Sequence, residues 1–222
     1  MKELQVSLYD IFGYAAPGAI AFLGIYLLGW RIVLPPTLDW STVSIGGWVV
    51  ILLVSYVLGH AVQALANLFI RLFNVSPEAT ELGDIETSSP QIFASIHNYA
   101  CRVADIPNGT ALPARVIFEI IDAYVMQNGK TESRDIYIYR EGFYRGLTVS
   151  LLMFAIGSLT RMTGTEGSIN IFGTLIWLTS GVFGAFGVVA IGMSLLSFMR
   201  FKRFASYRVR NSVFGFLTII KP

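Results

Sequence analysis

The chain has 222 residues, of which 54% are hydrophobic and only 14% are charged. Soluble domains carry about 25% charged residues, so this composition excludes an ordinary soluble globule and indicates a protein that crosses a membrane several times. The net charge of +2 argues against a nucleic-acid partner, and the single cysteine excludes an intramolecular disulfide or a cysteine-rich metal site.

Four apolar segments are candidates to cross the hydrocarbon core, which is about 30 Å thick and takes about 20 helical residues. We expect these spans at residues 11–34, 43–70, 147–159 and 169–198, of which the third is the shortest. The chain then divides into a first transmembrane pair, an insertion, a second transmembrane pair and a tail, at residues 1–73, 74–146, 147–199 and 200–222. This is an all-α, polytopic membrane protein with a small helical insertion.

The positions of lysine and arginine predict the orientation of the chain in the membrane. The predicted external loops and their edges hold only Arg31 and Arg161, whereas the remaining basic residues fall on the other side. They include the cluster RFKRFASYRVR directly after the fourth span. Because basic residues concentrate on the cytoplasmic side, we expect both termini and the insertion in the cytoplasm and the spans in the inner membrane.

The insertion is expected to contain an acidic loop followed by three helices. The loop covers residues 75–87, and the first helix begins at Ser89 and continues through Asp105. The second ends at Asn128-Gly129, and the third, capped by Thr131, can run straight into the third span. Two or three amphipathic helices cannot bury a large core alone. We therefore expect them to pack on each other and on the tail, with a second subunit as a further candidate. The tail fits an interfacial helix, a strand or a helix that closes the insertion.

A polar seam interrupts the second span: Tyr56, His60, Gln63 and Asn67 recur at helical spacing. A polar group that faces lipid loses its hydrogen bonds to water, at a cost of several kcal/mol. The polar seam must therefore face protein or water. Either it bonds to neighbouring helices, or it lines an aqueous path or an oligomer axis.

Three arginines in the insertion stand among aromatic residues and form a candidate contact for lipid headgroups or a small phosphate-bearing ligand. They are Arg134, Arg140 and Arg145. Nearby acidic residues offset much of their charge, so the alternative is a solvated helix with aromatic anchors at the membrane surface.

The sequence contains no clear catalytic motif. It lacks the H-E-x-x-H, G-x-S-x-G and P-loop motifs, so we predict no catalytic residue, metal ligand or cofactor. His97, Cys101 and Asp105 stand four residues apart on one predicted helix, where a packed strip is the expected role. In the fourth span, Gly181 and Ala185 fit bundle packing or, alternatively, a subunit interface.

Three stretches carry a resemblance to known proteins: YDIFGYAAPGAIAF at the first span, YVLGHAVQALANL in the second, and YREGFYRGL before the third. They resemble small four-pass bacterial inner-membrane proteins of unknown activity, some of which are encoded beside antiviral systems as accessory or effector proteins. The resemblance implies a membrane-perturbing or pore-forming role controlled from the cytoplasm, and it carries over no catalytic residues.

These observations predict a non-enzymatic membrane protein that forms an oligomeric pore or perturbs the bilayer, gated by its insertion. Its expected partners are the lipid bilayer, further copies of itself, and a cytoplasmic protein or phosphate-bearing ligand. One alternative is a membrane anchor or scaffold that docks a soluble partner. The other is a small-solute transporter, against which the absence of an embedded charge or inverted repeat counts.

Overall fold

The computed structural model of the chain describes residues 2–29, 43–128, 132–162, 167–171 and 174–220. The helices are α1 (Lys2–Gly29), α2 (Ile45–Leu72), α3 (Pro77–Ser88), α4 (Pro90–Val103), α5 (Ala114–Gln127), α6 (Glu132–Met162) and α7 (Ser180–Ile220). A hairpin of β1 (Gly167–Ile171) and β2 (Thr174–Leu178) precedes α7. Four helices, α1, α2, α6 and α7, are long and apolar enough to cross a membrane, which confirms the predicted number of spans.

The predicted start of the fourth span at residue 169 is wrong. The strands 167–171 and 174–178 pair antiparallel, so that Gly167 opposes Leu178 and Ile171 opposes Thr174. Together they contain three Ile, one Thr and one Trp, residue types that favour extended backbone. The fourth span therefore begins at Ser180, and this hairpin is the one part of the regular structure within the described ranges that is not helical.

Two further predictions are corrected in the insertion. The expected loop at residues 75–87 is mostly the helix α3, because Ser76 caps it by accepting a hydrogen bond from the Ala79 amide (3.3 Å) and Pro77 opens its first turn. The helix α4 ends at Val103, and Asp105 follows in a left-handed turn (φ 55°), so Asp105 does not share a helix with Cys101. The predicted loop at residues 35–42, Arg31 and the predicted signals at Gly129 and Thr131 lie outside the described residues.

The third span is not the shortest. The helix α6 has 31 residues and continues without a break from the insertion into the predicted span, as the sequence suggested. The tail likewise continues α7, which has 41 residues. At about 1.5 Å per residue both helices exceed the roughly 30 Å of hydrocarbon, so each extends beyond one membrane crossing.

The chain forms two compact units. One, the transmembrane unit, consists of Met1–Phe69 and Gly142–Phe201. The other, the insertion unit, consists of Ile70–Glu141 and Lys202–Pro222, so the tail belongs with the insertion rather than standing apart. Both α6 and α7 contribute residues to each unit.

Within the transmembrane unit, glycines let helix backbones touch. A Cβ on Gly18 of α1 would collide with the Ser55 carbonyl of α2, and a Cβ on Gly24 would lie 2.7 Å from the Phe154 amide nitrogen of α6. Small residues allow this close approach, which strengthens van der Waals packing between helices in lipid.

The contacts also fix the direction of each span. Gly24 and Pro17 of α1 lie beside Phe154 and Gly146 of α6, so α1 and α6 run in the same direction. Gly59 meets Tyr14, whereas Ser55 meets Gly18, so α2 runs against α1. The Ser194 hydroxyl donates to the Thr148 carbonyl (2.9 Å), and Gly187 lies beside Ala155, so α7 runs against α6. Successive spans thus alternate in direction, as a four-pass chain requires.

The insertion unit has its own apolar core. The helices α3, α4 and α5 contribute Leu82, Ile96, Ala100, Ile117, Phe118, Ile121 and Val125, and the end of α7 contributes Val209, Val213 and Phe216. The tail is therefore a helix that closes this unit, which decides among the three alternatives and confirms the expected packing of the insertion on the tail.

Candidate functional site

The polar seam lies beside the buried strip of α2 rather than within it. The buried residues of α2 are Ser55, Gly59, Val62 and Ala66. Tyr56 and Gln63 are half-buried, whereas His60 and Asn67 are exposed. At about 100° per residue, the polar seam forms the border between the packed face of α2 and its exposed apolar face.

Tyr14 of α1 packs against two residues of the polar seam, Tyr56 and His60. Its ring stacks on His60 with 4.0 Å between the centroids, and Tyr56 meets His60 edge-on at 4.9 Å. The three rings form one aromatic cluster in which the exposed imidazole has a neighbour on either side. The sequence offers no signal for Tyr14, because its partner lies on another helix.

Both the nitrogen and the oxygen of the Gln63 side-chain amide form hydrogen bonds to α6. The Gln63 Nε2 donates to the Gly142 carbonyl (2.7 Å), and the Arg145 Nε donates to the Gln63 Oε1 (3.4 Å). A Cβ on Gly146 would lie 2.6 Å from the Gln63 Nε2, so the absence of a side chain there makes room for the amide. Gln63 thus has partners within the chain, and Arg145 lies against the polar seam.

The polar seam lies within one candidate span. All four of its residues fall inside Ile45–Leu72 of α2, which is long and apolar enough to cross a membrane. The register of α2 against α1 places Gly59 level with Tyr14, which lies within the candidate span Ile11–Leu28 of α1. The exposed side chains of His60 and Asn67 therefore belong to a helix that can cross the membrane.

In the insertion unit, the buried Asp122 of α5 is the centre of a polar network. Arg134 of α6 donates to both carboxylate oxygens of Asp122, with its Nε and one terminal nitrogen each at 2.5 Å. Ser212 of α7 donates to Asp122 Oδ1 at 2.8 Å. Burial alone would raise the pKa of Asp122, but these hydrogen bonds and the positive charges of Arg134 and Arg208 outweigh it, so the pKa lies below its ordinary value.

Two arginines of the tail also form ion pairs with carboxylates of other helices. Arg208 donates to Glu78 of α3 and Glu141 of α6, each at 2.7 Å, and its guanidinium lies 4.8 Å from the centre of the Phe118 ring. Arg210 pairs with Glu81 of α3 at 2.5 Å. Part of the basic tail therefore fastens α7 to α3 and α6.

The three arginines predicted to contact headgroups have different surroundings. The Arg134 side chain is only 11% exposed and is bound to Asp122, which leaves it little surface for a lipid. Arg140 is exposed and lies 5.5 Å from the centre of the Phe204 ring, and Arg145 is half-buried beside Gln63. Headgroup or phosphate contact remains a prediction that fits Arg140 best.

The remaining candidates for catalysis or metal binding do not form a site within the described residues. The Cys101 Sγ is buried and lies 3.7 Å from the His97 Nδ1 and 3.9 Å from the Thr110 carbonyl. Across the described ranges, no group of three His, Cys, Asp or Glu residues comes close enough to hold a metal ion. Comparison of the chain with models of protein families, with curated proteins and with solved structures gave no match.

Proposed function

We propose that this chain is a multi-pass membrane protein, not itself an enzyme, that holds its insertion unit at the cytoplasmic face to dock a soluble partner. The observation that carries the proposal is the insertion unit itself. Two distant parts of the chain, the insertion and the tail, build one apolar core and fasten it with ion pairs. A separate apolar core outside the spans favours a folded module over a simple connection between helices.

The chemistry of the insertion unit also favours docking over catalysis. Asp122 and Arg208 are engaged in ion pairs between helices, where they stabilise the fold rather than face a substrate. In contrast, Val103 and Met126 expose about half of their surface at the ends of α4 and α5. We propose that these two exposed apolar side chains contribute to the contact surface for the partner.

Photocross-linking in cells tests the docking proposal. A photoreactive phenylalanine analogue in place of Met126 should give a discrete adduct with a soluble protein. A second variant, Val103→Glu, should abolish that adduct, whereas Val103→Leu should preserve it because it keeps the apolar surface. Adducts with lipid or with further copies of the chain alone, or an adduct unaffected by Val103→Glu, would refute docking at this surface.

An oligomeric pore or membrane-perturbing effector, gated by the insertion, is the second candidate. The observation in its favour is that His60 and Asn67 are exposed within the candidate span Ile45–Leu72, where a polar group in contact with lipid is costly. Because α1 touches both α2 and α6 at the backbone, we place the proposed path between copies of the chain. A small-solute transporter has no comparable observation in its favour among the described residues.

Leakage from proteoliposomes distinguishes the two candidates. A pore predicts that the purified protein releases a small dye and that His60→Leu together with Asn67→Leu abolishes release, since both side chains are exposed. Phe186→Leu, an exposed apolar change on α7, is the matched control and should leave release intact. An anchor predicts no release from any of these proteins.

A further inference from the structure

The insertion unit contains a cleft between α3, the start of α4 and the end of α7. Its volume is about 280 Å³, at the small end of the range for ligand sites. Its polar lining includes Glu81, Asp84, Ser88, Ser89 and Arg210, and its apolar lining includes Ile92 and Phe214. It is thus a mixed site, lined by both charged and hydrophobic side chains.

The charges of the cleft favour a positive ligand. Two carboxylates, Glu81 and Asp84, face a single guanidinium, that of Arg210. The Glu81 side chain is only 6% exposed, and its Oε2 accepts from Arg210 Nε at 2.5 Å, whereas its Oε1 lies 3.5 Å from the nearest Arg210 nitrogen. A carboxylate oxygen has two lone pairs, so Glu81 keeps acceptor capacity on the weakly held Oε1.

The start of α4 adds an acceptor but little capacity to bind an anion. Pro90 has no amide hydrogen, and the amides of Ile92 and Phe93 already donate to the Ser89 carbonyl at 3.0 and 3.1 Å. The Ser89 hydroxyl does not cap the helix. An anion in this cleft would meet two carboxylates, and Pro90, Ile92 and Phe93 leave it few of the amides that usually bind anions at a helix N-terminus.

We propose that this cleft binds a primary amine carried on a short apolar body. An ammonium group has three donors and no acceptor, which matches the carboxylates of Glu81 and Asp84 and the hydroxyl of Ser89. The apolar body would lie against Ile92 and the exposed ring of Phe214. This site lies on the insertion unit but goes beyond the proposed docking of a protein, because amine binding requires no partner.

Binding of phenethylammonium to the full chain in nanodiscs tests the proposal. Isothermal titration in neutral phosphatidylcholine nanodiscs, with empty nanodiscs subtracted, should show saturable binding of phenethylammonium and none of phenylacetate. Asp84→Asn should weaken binding about tenfold, the effect of losing one charge-assisted hydrogen bond of about 1.4 kcal/mol. Glu86→Gln removes the same charge from the exposed side of α3 and should leave the affinity unchanged.

A steric pair of variants checks the location. Ser88→Trp should fill the cleft and abolish binding, while Thr87→Trp adds the same bulk at an exposed position that does not line the cleft. The helical circular dichroism of each variant confirms that it is folded. Absence of saturable binding to the unaltered chain, equal binding of phenylacetate, or equal affinities of the two tryptophan variants would each overturn the proposal. None of these outcomes bears on the cross-linking of a protein partner at Met126.

Discussion

Gly59 of α2 meets the backbone of Tyr14 on α1 so closely that a Cβ at residue 59 would collide with the Tyr14 carbonyl. The same contact brings the Tyr14 ring over His60, one residue further along α2. The packing of the first two spans and the arrangement of the polar seam therefore depend on the same pair of residues.

Gly59→Ala is expected to destabilise the transmembrane unit by about 1–3 kcal/mol, because the neighbouring atoms are backbone and cannot rotate away. Gly13→Ala is the matched control: it lies on α1, where a Cβ would meet nothing within 4 Å. Alanine has the higher helix propensity, so this control should unfold at the same temperature or slightly above. Thermal unfolding in detergent, followed by tryptophan fluorescence, measures both. Equal melting temperatures for the two variants would contradict the close contact.

Asp122→Asn is expected to destabilise the insertion unit by about 3 kcal/mol, because it removes the bidentate partner of the buried Arg134 and leaves it only the more exposed Asp135, at 3.2 Å. Glu119→Gln, three residues earlier on α5, is a close control. Glu119 also pairs with an arginine, Arg115, but the two side chains are 58% and 75% exposed, so its loss should hardly change the melting temperature. Circular dichroism during heating would show the difference, and similar shifts in both variants would count against a structural role for the Asp122 network.

The lowered pKa of Asp122 predicts how the stability of the insertion unit depends on pH. Since the folded state favours the ionised carboxylate, the stabilisation is complete above the unfolded pKa of about 3.9 and is lost as the pH falls through the lower folded pKa. Melting temperatures between pH 3 and pH 6 should therefore fall more steeply below about pH 4 in the unaltered chain than in Asp122→Asn. Parallel curves would show that Asp122 contributes nothing to acid unfolding.

Hydropathy identified four spans because the signal for a span, length and apolarity, is local in the sequence. It could not place the start of the fourth, because the strand residues 174–178 are as apolar as the helix that follows, and hydropathy does not separate a strand from a helix. The helix α3 was missed for the opposite reason. Its polar composition suggested a loop, although Ser76, Pro77 and Glu78 together form a recognisable helix start.

The face of the polar seam was predictable from helical periodicity, but its neighbours were not. They depend on the register of α2 against α1, and this register follows from a contact between Gly59 and Tyr14 that no local pattern reveals. The ion pairs of the insertion unit are hidden in the same way. Arg208 and Glu78 are 130 residues apart in the chain, and a single sequence contains no record of their contact.

The two amides of the polar seam should respond differently to replacement by leucine. Gln63→Leu removes the hydrogen bonds to Gly142 and Arg145, and we expect a loss of stability of about 0.5–2 kcal/mol, the range for hydrogen bonds between helices in membranes. Asn67→Leu changes an exposed side chain of similar size and should leave the melting temperature of the purified chain unchanged. Unfolding in detergent gives both values. A larger loss for Asn67→Leu than for Gln63→Leu would mean that the exposed end of the polar seam, rather than Gln63, is the part held by protein contacts, as a second copy packed on α2 would require.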